Sequence, residues 1–361
     1  MRVALVADVH LGNPKRFGGQ MEMGMNARCR EKLAVLQGAV IRAIDGGAEV
    51  FAVLGDVFDD TRPKPQLIAA AGVVLGKRLG MNVVLVVGNH DRDSMELGDY
   101  ALSPYEIQDY QRMHVVQRAL VTTYAVFVAH HVGNAREYVP RVLAEIKTAR
   151  AGGLAGKLLC LHCGLVDETT PPWLKDAENA IEVLALDALC QQYGIAGVAA
   201  GDWHERRTVA GTKVPMLQIG ALVPTGWQNE GISGRYGTLA WWDTDTRCFN
   251  VEELPGPRFV TCSRPSPLLA KGTPAAPLRV RIVVPPDEVA SAEEYARGLP
   301  FETWVCPDEK AAGQQLQAAG HAARAESTIT DALEAYTKQA VPAEVFGEVL
   351  EAARRYLSRM E

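Results

Sequence analysis

Five short groups of Asp, Asn and His punctuate the first part of the chain: Asp8-Val9-His10, Gly55-Asp56-Val57-Phe58-Asp59, Gly88-Asn89-His90-Asp91, His162, and Gly201-Asp202-Trp203-His204. Such a mixture of carboxylate, amide and imidazole donors suits hard or borderline divalent cations. A carboxylate shared by two such ions holds them ~3.5–4 Å apart, the separation that clamps both oxygens of an in-line phosphoryl displacement. The residue types and their order point to a metal site, and displacement at phosphorus is among the reactions that such a pair of ions serves.

Each group follows an apolar, strand-like run: Val3 to Ala7, Val50 to Leu54, Val83 to Val87, Leu158 to Leu161 and Ala196 to Ala200. A parallel sheet would carry all five to one edge. Taken singly, each has a plainer reading, since a lone His162 in a strand is ordinarily a satisfied core residue and Gly-Asn-His-Asp alone is a turn. In series, each behind a strand, they specify a site.

The order and spacing resemble the calcineurin-like metallophosphoesterases, whose signature runs Asp-x-His, Gly-Asp-x-x-Asp, Gly-Asn-His-Asp, a lone His, then Gly-His-x-His. Four blocks match; in the fifth, Asp202 stands in place of the first His. Further stretches resemble the nuclease subunits of DNA-repair complexes, the SbcD family and its archaeal and eukaryotic counterparts. These are Asp8-Val-His-Leu-Gly12, Gly55 to Asp59 followed by Pro63, Gly220-Ala-Leu-Val-Pro-Thr-Gly-Trp227 with Glu230, and Leu254-Pro-Gly-Pro-Arg-Phe259. The likeness extends over residues 1–260 and continues beyond them only in outline.

The resemblance implies an α/β fold, a two-sheet αββα sandwich with a small C-terminal cap domain and terminal helices. It implies a Mn²⁺-dependent DNA exonuclease or endonuclease of repair or recombination, holding two divalent metal ions. Asp56 would bridge them, with Asp8, His10 and His204 completing the first and Asn89, His162 and Asp202 holding the second. His90 would serve the leaving group and Asp59 would orient the site. A carboxylate at position 202 can replace imidazole, with a bias toward harder ions, or it can turn away and leave the second ion weakly held; both stay open. DNA, an SbcC-type coiled-coil ATPase and a second copy of the chain in a homodimer are the implied partners. Alternatives are a phosphoesterase for small phosphodiesters, cyclic nucleotides or phosphoproteins, and a weakly catalytic subunit that binds DNA ends.

The formal charge of −6 is not that of a typical nucleic-acid protein, but bound cations would offset the carboxylates locally. Arg62, Lys64, Arg92, Arg206 and Arg207 follow the site blocks, as phosphate contacts or as solvated charges. His130 and His131 follow the strand Tyr124 to Ala129 and belong to no block, while His114 and His321 read as surface or packing residues. Seven scattered cysteines argue for reduced thiols. Cys160 and Cys163 lack the second pair of a zinc ribbon and the helix start of a redox site. With no apolar run near the ~20 residues of a membrane span and a strand directly at the N-terminus, a cytoplasmic location is expected.

Of the elements that must position the site, the first helix is clearest: Asn26 caps it, Leu33, Leu36, Val40 and Ile44 recur at helical spacing, and Gly46-Gly47 end it. Strands and helices alternate to about residue 200. The later strands, Val214 to Ile219, Thr238 to Trp242 and Phe249 to Val251, suit a second sheet. The domain reading is 1–260 for the metallophosphoesterase domain, 261–277 for a linker, 278–326 for a βαβ-like cap, and 327–361 for two helices. Their apolar stripes (Ile329, Leu333, Tyr336; Val345, Val349, Ala353, Tyr356) pack on their own domain or dock on the ATPase.

Overall fold

Runs such as Val3-Ala-Leu-Val6 and Val50-Phe-Ala-Val-Leu54 are wholly buried, as strands covered on both faces must be. The computed structural model describes residues 1–15, 18–76, 80–92, 100–107, 112–130, 134–149, 153–175, 177–224, 237–263, 277–299 and 301–308. The chain opens with β1 (Arg2–Val6), α1 (Ala27–Asp45), β2 (Val50–Leu54), α2 (Pro65–Gly76) and β3 (Asn82–Val86). Next come α3 (Ser103–Ile107), β4 (Met113–Val116), β5 (Ala119–Val121), β6 (Ala125–Val128) and α4 (Ala135–Ala149). β7 (Leu158–His162), β8 (Gly164–Val166), α5 (Pro172–Lys175), β9 (Ala180–Glu182), α6 (Val183–Tyr193) and β10 (Gly197–Gly201) follow. The remaining elements are β11 (Arg207–Val209), β12 (Met216–Gln218), β13 (Gly237–Asp243), β14 (Cys248–Leu254), β15 (Arg258–Cys262), β16 (Leu278–Val284), α7 (Val289–Arg297) and β17 (Glu302–Pro307).

Two six-stranded sheets form the core, in the orders β14-β13-β1-β2-β3-β4 and β11-β12-β10-β7-β6-β5. Within the first, β1 to β4 are parallel and β13 lies antiparallel to β1. This corrects two expectations. The site blocks do not share one sheet edge, because β1, β2 and β3 carry three of them and β7 and β10 of the other sheet carry two. And β13 and β14, expected in the second sheet, extend the first, where Trp242 pairs with Val3.

Side-chain alternation explains how the sheets meet. On β6, Ala125 and Phe127 join the core shared with the first sheet, while Val126 and Val128 face the α4 and α6 side; Leu158 and Cys160 against Leu159 and Leu161 on β7 repeat the pattern. Trp242 needs room there, and Gly197 supplies it: a Cβ on Gly197 would lie 2.4 Å from the indole. Helices α1 and α2 cover the first sheet, completing the sandwich.

Asn26 Oδ1 accepts the Cys29 N–H at 2.9 Å, capping α1, which ends at Gly46. The buried face differs from the expected one: it runs through Cys29, Lys32, Leu36, Ala39, Val40 and Ala43, and Ile44 is exposed.

The described residues form two compact units, 1–261 with 277–280 and 301–302, and 262–263 with 281–299 and 303–308. In the first unit, buried Arg279 donates two 2.9 Å bonds to Glu31 of α1. In the second, Arg281 lies over the Trp304 ring. β15, β16 and β17 pair in that order; β15 begins before the expected linker, whose residues 264–276 lie outside the described ones, as do the expected helices of 327–361.

Candidate metal centre

Parallel pairing aligns the C-terminal strand ends, Val6 beside Val53, Leu54 beside Val86 and His162 beside Gly201. There the chain turns sharply. Asp8 (φ 52°), His10 (49°), Asp56 (50°) and Asp202 (83°) are left-handed, a conformation that persists in non-glycine residues only where the surroundings enforce it. Main-chain bonds do so: Asp8 N–H donates to Gly55 O at 3.2 Å, His10 N–H to Asp56 O at 2.9 Å, and Leu222 N–H to Ala7 O at 2.8 Å. Gly55 (φ 84°) allows the closest approach, since its Cβ would fall 1.9 Å from His162 Nδ1.

One donor group comprises Asp8, His10 and His204, others comprise His10, Asp56 and His90, and Asp8, Asp56 and His162; within each, the ligand atoms lie within 4.8 Å of one another. His10 Nε2 is 3.0 Å from His204 Nε2 and 3.6 Å from Asp56 Oδ2, and His204 Nε2 is 4.0 Å from Asp8 Oδ1. His162 Nε2 is 3.6 Å from Asp56 Oδ1, 2.9 Å from Asn89 Oδ1 and 3.7 Å from Asp202 Oδ1. Its Nδ1 meets Leu54 O at 2.8 Å, leaving Nε2 to face the carboxylates. Ligands held ~2.1 Å from a common ion stand about 3–4 Å from one another, and these separations match. The residues present therefore fit divalent metal, with Asp56 facing both imidazole groups.

The electrostatics agree. Burial, reinforced by Asp56 and Asp202 and only partly relieved by His162, pushes the Asp8 carboxyl well above the usual range. Burial also raises Asp202, to about 6, with Asp56 adding to the shift and His162 and Asn179 opposing it. Burial acts against ionisation of Asp56 as well, but His162, His10 and His90 overcome it and hold that carboxyl low. Such a cluster of carboxylates out of water is stabilised by cations.

His90 is exposed at the mouth, its ring edge-on to His10 with centroids 4.8 Å apart. Asp59 Oδ1 lies 3.3 Å from His10 Nδ1, although that buried nitrogen makes no aligned hydrogen bond among the described residues. His130 is buried, its ring 5.9 Å from that of His162; burial first, then His162, lowers it to about 4, so it is neutral. His131 lies outside the described residues, as do His321 and the residues 225–236 that carry Trp227 and Glu230. His114 is exposed on β4.

The expected phosphate-binding side chains divide. Arg92 donates to Gln117 O at 2.8 Å, Arg206 to Glu253 at 3.0 Å, and Arg207 to Asp167 at 2.8 Å and to Leu165 O. These three are engaged within the protein. Arg62 and Lys64, on the loop between β2 and α2, are both exposed. Cys160 and Cys163 are buried thiols whose pKa burial pushes up.

Three supporting residues were not assigned from sequence. Asp91 accepts the N–H groups of Val57 (3.2 Å), Phe58 (3.0 Å) and Gly88 (3.1 Å), joining the loops after β2 and β3; burial raises it to about 7, with Asp56 contributing. Lys32 of α1, buried together with Arg28 one turn earlier, donates to His10 O at 2.6 Å; a lysine among the apolar positions of that helix was its signal. Asn179 donates to both oxygens of Asp202, at 2.8 and 2.7 Å, and nothing in its neighbourhood in the sequence marks it.

Fold and donor set together define a metal-dependent phosphoesterase. The chain belongs to the calcineurin-like phosphoesterase family, which matches it over residues 1–206; members are hydrolases that typically use two metal ions. No curated protein matches the chain. Among solved structures it is similar to a protein of Thermus thermophilus, at 11% identity and TM-score 0.44, covering 70% of this chain and 98% of that one. An archaeal phosphodiesterase (11%, 0.37; 70% and 99%) and the phosphopantetheinyl hydrolase of Mycobacterium tuberculosis (14%, 0.40; 63% and 91%) are also similar. No helix among the described residues is long and apolar enough to cross a membrane.

Proposed function

We propose that this phosphoesterase is a Mn²⁺-dependent DNA nuclease of the SbcD type, hydrolysing phosphodiesters in DNA repair or recombination. The observation that carries the hydrolytic part is the convergence of Asp8, His10, Asp56, His162 and His204 at ligand separations. Support for DNA as substrate comes from the stretches Asp8 to Gly12, Gly55 to Pro63 and Leu254 to Phe259, which resemble that family. In this reading Asp56 would be shared by two ions; Asp8, His10 and His204 would complete one site, and Asn89, His162 and Asp202 would hold the other. Such ions, when bound, supply an activated water and charge stabilisation at phosphorus.

The chain's own residues do the rest. Exposed His90 holds a proton for the departing sugar oxygen. Asp59, beside His10 Nδ1, fixes that ring's orientation. Arg62 and Lys64 meet the phosphate backbone, steering a polyanion to the mouth. Residues 327–361, outside the described ones, are the segment that docks on an SbcC-type ATPase in this reading.

The test sets purified protein and Mn²⁺ against end-labelled duplex DNA, single-stranded DNA and bis-para-nitrophenyl phosphate. Metal-dependent cleavage of DNA in preference to the small ester is expected. Turnover of the small ester alone makes it a small-molecule phosphoesterase, and DNA binding without turnover of any of the three makes it a binding subunit; either overturns the nuclease reading.

A further inference from the structure

Where the family signature has an imidazole, this chain has Asp202, and the structure holds that side chain at both ends. The backbone N–H of Asp202 donates to the two carboxylate oxygens of Asp8, at 3.1 and 3.0 Å. The far end is gripped by Asn179, whose Nδ2 donates to Oδ1 at 2.8 Å and to Oδ2 at 2.7 Å. The backbone of Asn179 is itself fixed, since its main-chain carbonyl accepts the Gly164 N–H at 2.9 Å where β8 begins to pair with β9. So held, Asp202 Oδ1 lies 3.7 Å from His162 Nε2, on the side of His162 that also faces Asp56 and Asn89.

The chemistry of the grip is specific. A carboxylate offers about four lone-pair sites, and one amide nitrogen occupies at most one on each oxygen, leaving the others for a cation. An amide also adds no charge. A lysine or arginine in its place would neutralise Asp202 and compete with metal, whereas asparagine orients the carboxylate and leaves its negative charge intact.

We infer that Asn179 is a positioning residue that presents the Asp202 carboxylate to the second metal subsite, so that the Asn179–Asp202 pair takes the place of the missing imidazole and biases that subsite toward harder, oxygen-preferring ions. The inference rests on the two-metal reading above. It explains why a departure from the signature at position 202 leaves the donor set closed around Asp56 and His162. The plain structural role, an amide satisfying a buried carboxylate, would change stability and leave metal affinity alone.

The test is Mn²⁺ and Mg²⁺ binding to the full chain, measured by calorimetry without substrate. Asn179→Ala is expected to weaken the second Mn²⁺ equivalent by about 10–100-fold, the usual effect of removing a partner that orients a ligand, and to leave the first within about twofold. In an Asp202→His background the same substitution should shift the second affinity by less than about twofold, because the residue through which it acts is gone. Asp202→His alone should raise the preference of that subsite for Mn²⁺ over Mg²⁺. If Asn179→Ala fails to fold, Asn179→Gln keeps the amide, displaces it by one methylene and should weaken the second equivalent in the same direction. Two equivalents bound with affinities unmoved by either Asn179 variant, or an equal loss in the Asp202→His background, overturns this inference alone. A native chain that takes up fewer than two equivalents overturns the two-metal reading as well.

Discussion

At the scale of single residues, His90 and Asp56 differ in what their side chains do although a bond joins them. The His90 backbone N–H donates to Asp56 Oδ1 at 2.9 Å, so replacing the ring leaves the bond intact. His90→Asn is expected to lower turnover by about 10²–10⁴-fold, the range for losing a general acid, with metal content unchanged; Asp56→Asn should lose both. The His90 ring also lies within ligand reach of His10 and Asp56, so elemental analysis decides, and a His90→Asn protein purified without metal makes His90 a ligand. Lys32 gives a pH prediction. Burial lowers its ammonium from 10.5 to about 8, with Asp59 opposing. Between these values the unfolded chain binds more protons, so this residue's contribution to stability rises with pH from about 8 to 10.5 and is unfavourable below 8. Lys32→Met should flatten that part of the stability profile, measured by urea unfolding across the window.

At the scale of elements, the site depends on how closely strand ends of two sheets approach. Gly201 closes β10, and a Cβ there would stand 2.2 Å from Leu54 O of β2 and 3.1 Å from His162 Nδ1. Backbone atoms cannot yield as a flexible side chain can. Gly201→Ala should therefore destabilise by about 1–3 kcal/mol, as overpacking does, and weaken metal binding together with it. Gly38 in α1 is the contrast, since a Cβ there would meet nothing within 4 Å. Gly38→Ala should stabilise by about 0.5–1 kcal/mol through helix propensity alone, leaving metal binding and turnover unchanged. Thermal melts of the two variants beside the native chain check both signs.

At the scale of the whole molecule, the chain is acidic overall yet proposed to act on a polyanion. The two are reconciled locally: bound cations offset the buried carboxylates, and Arg62 and Lys64 stand at the surface after β2. The proposed partner surface is a separate matter. If the stripe through Leu333, Tyr336, Val345, Val349 and Tyr356 docks on an ATPase coiled coil, removing residues from Ser327 onward should leave hydrolysis of bis-para-nitrophenyl phosphate intact. Co-purification with the ATPase and ATP-stimulated digestion of duplex DNA should be lost. A truncated protein that unfolds or loses small-ester hydrolysis makes the stripe core packing.

By itself the sequence determined the groups of donor residues, because metal-ligand spacing behind short apolar runs is local information, and the family and the αββα class followed only through the resemblance those groups carry. Asn26 and Gly46 bounded α1 for the same reason: caps act within a turn. Only the tertiary structure decided that β13 and β14 join the first sheet and that two sheets, not one edge, supply the donors. Strand pairing is non-local, and β1 meets β13 across more than two hundred residues with no signal in either strand naming its partner. The supporting residues were hidden for a like reason. Asp91 bonds backbone N–H groups, which every sequence carries alike, and Asn179 reaches Asp202 only because β8 and β9 pair beneath it.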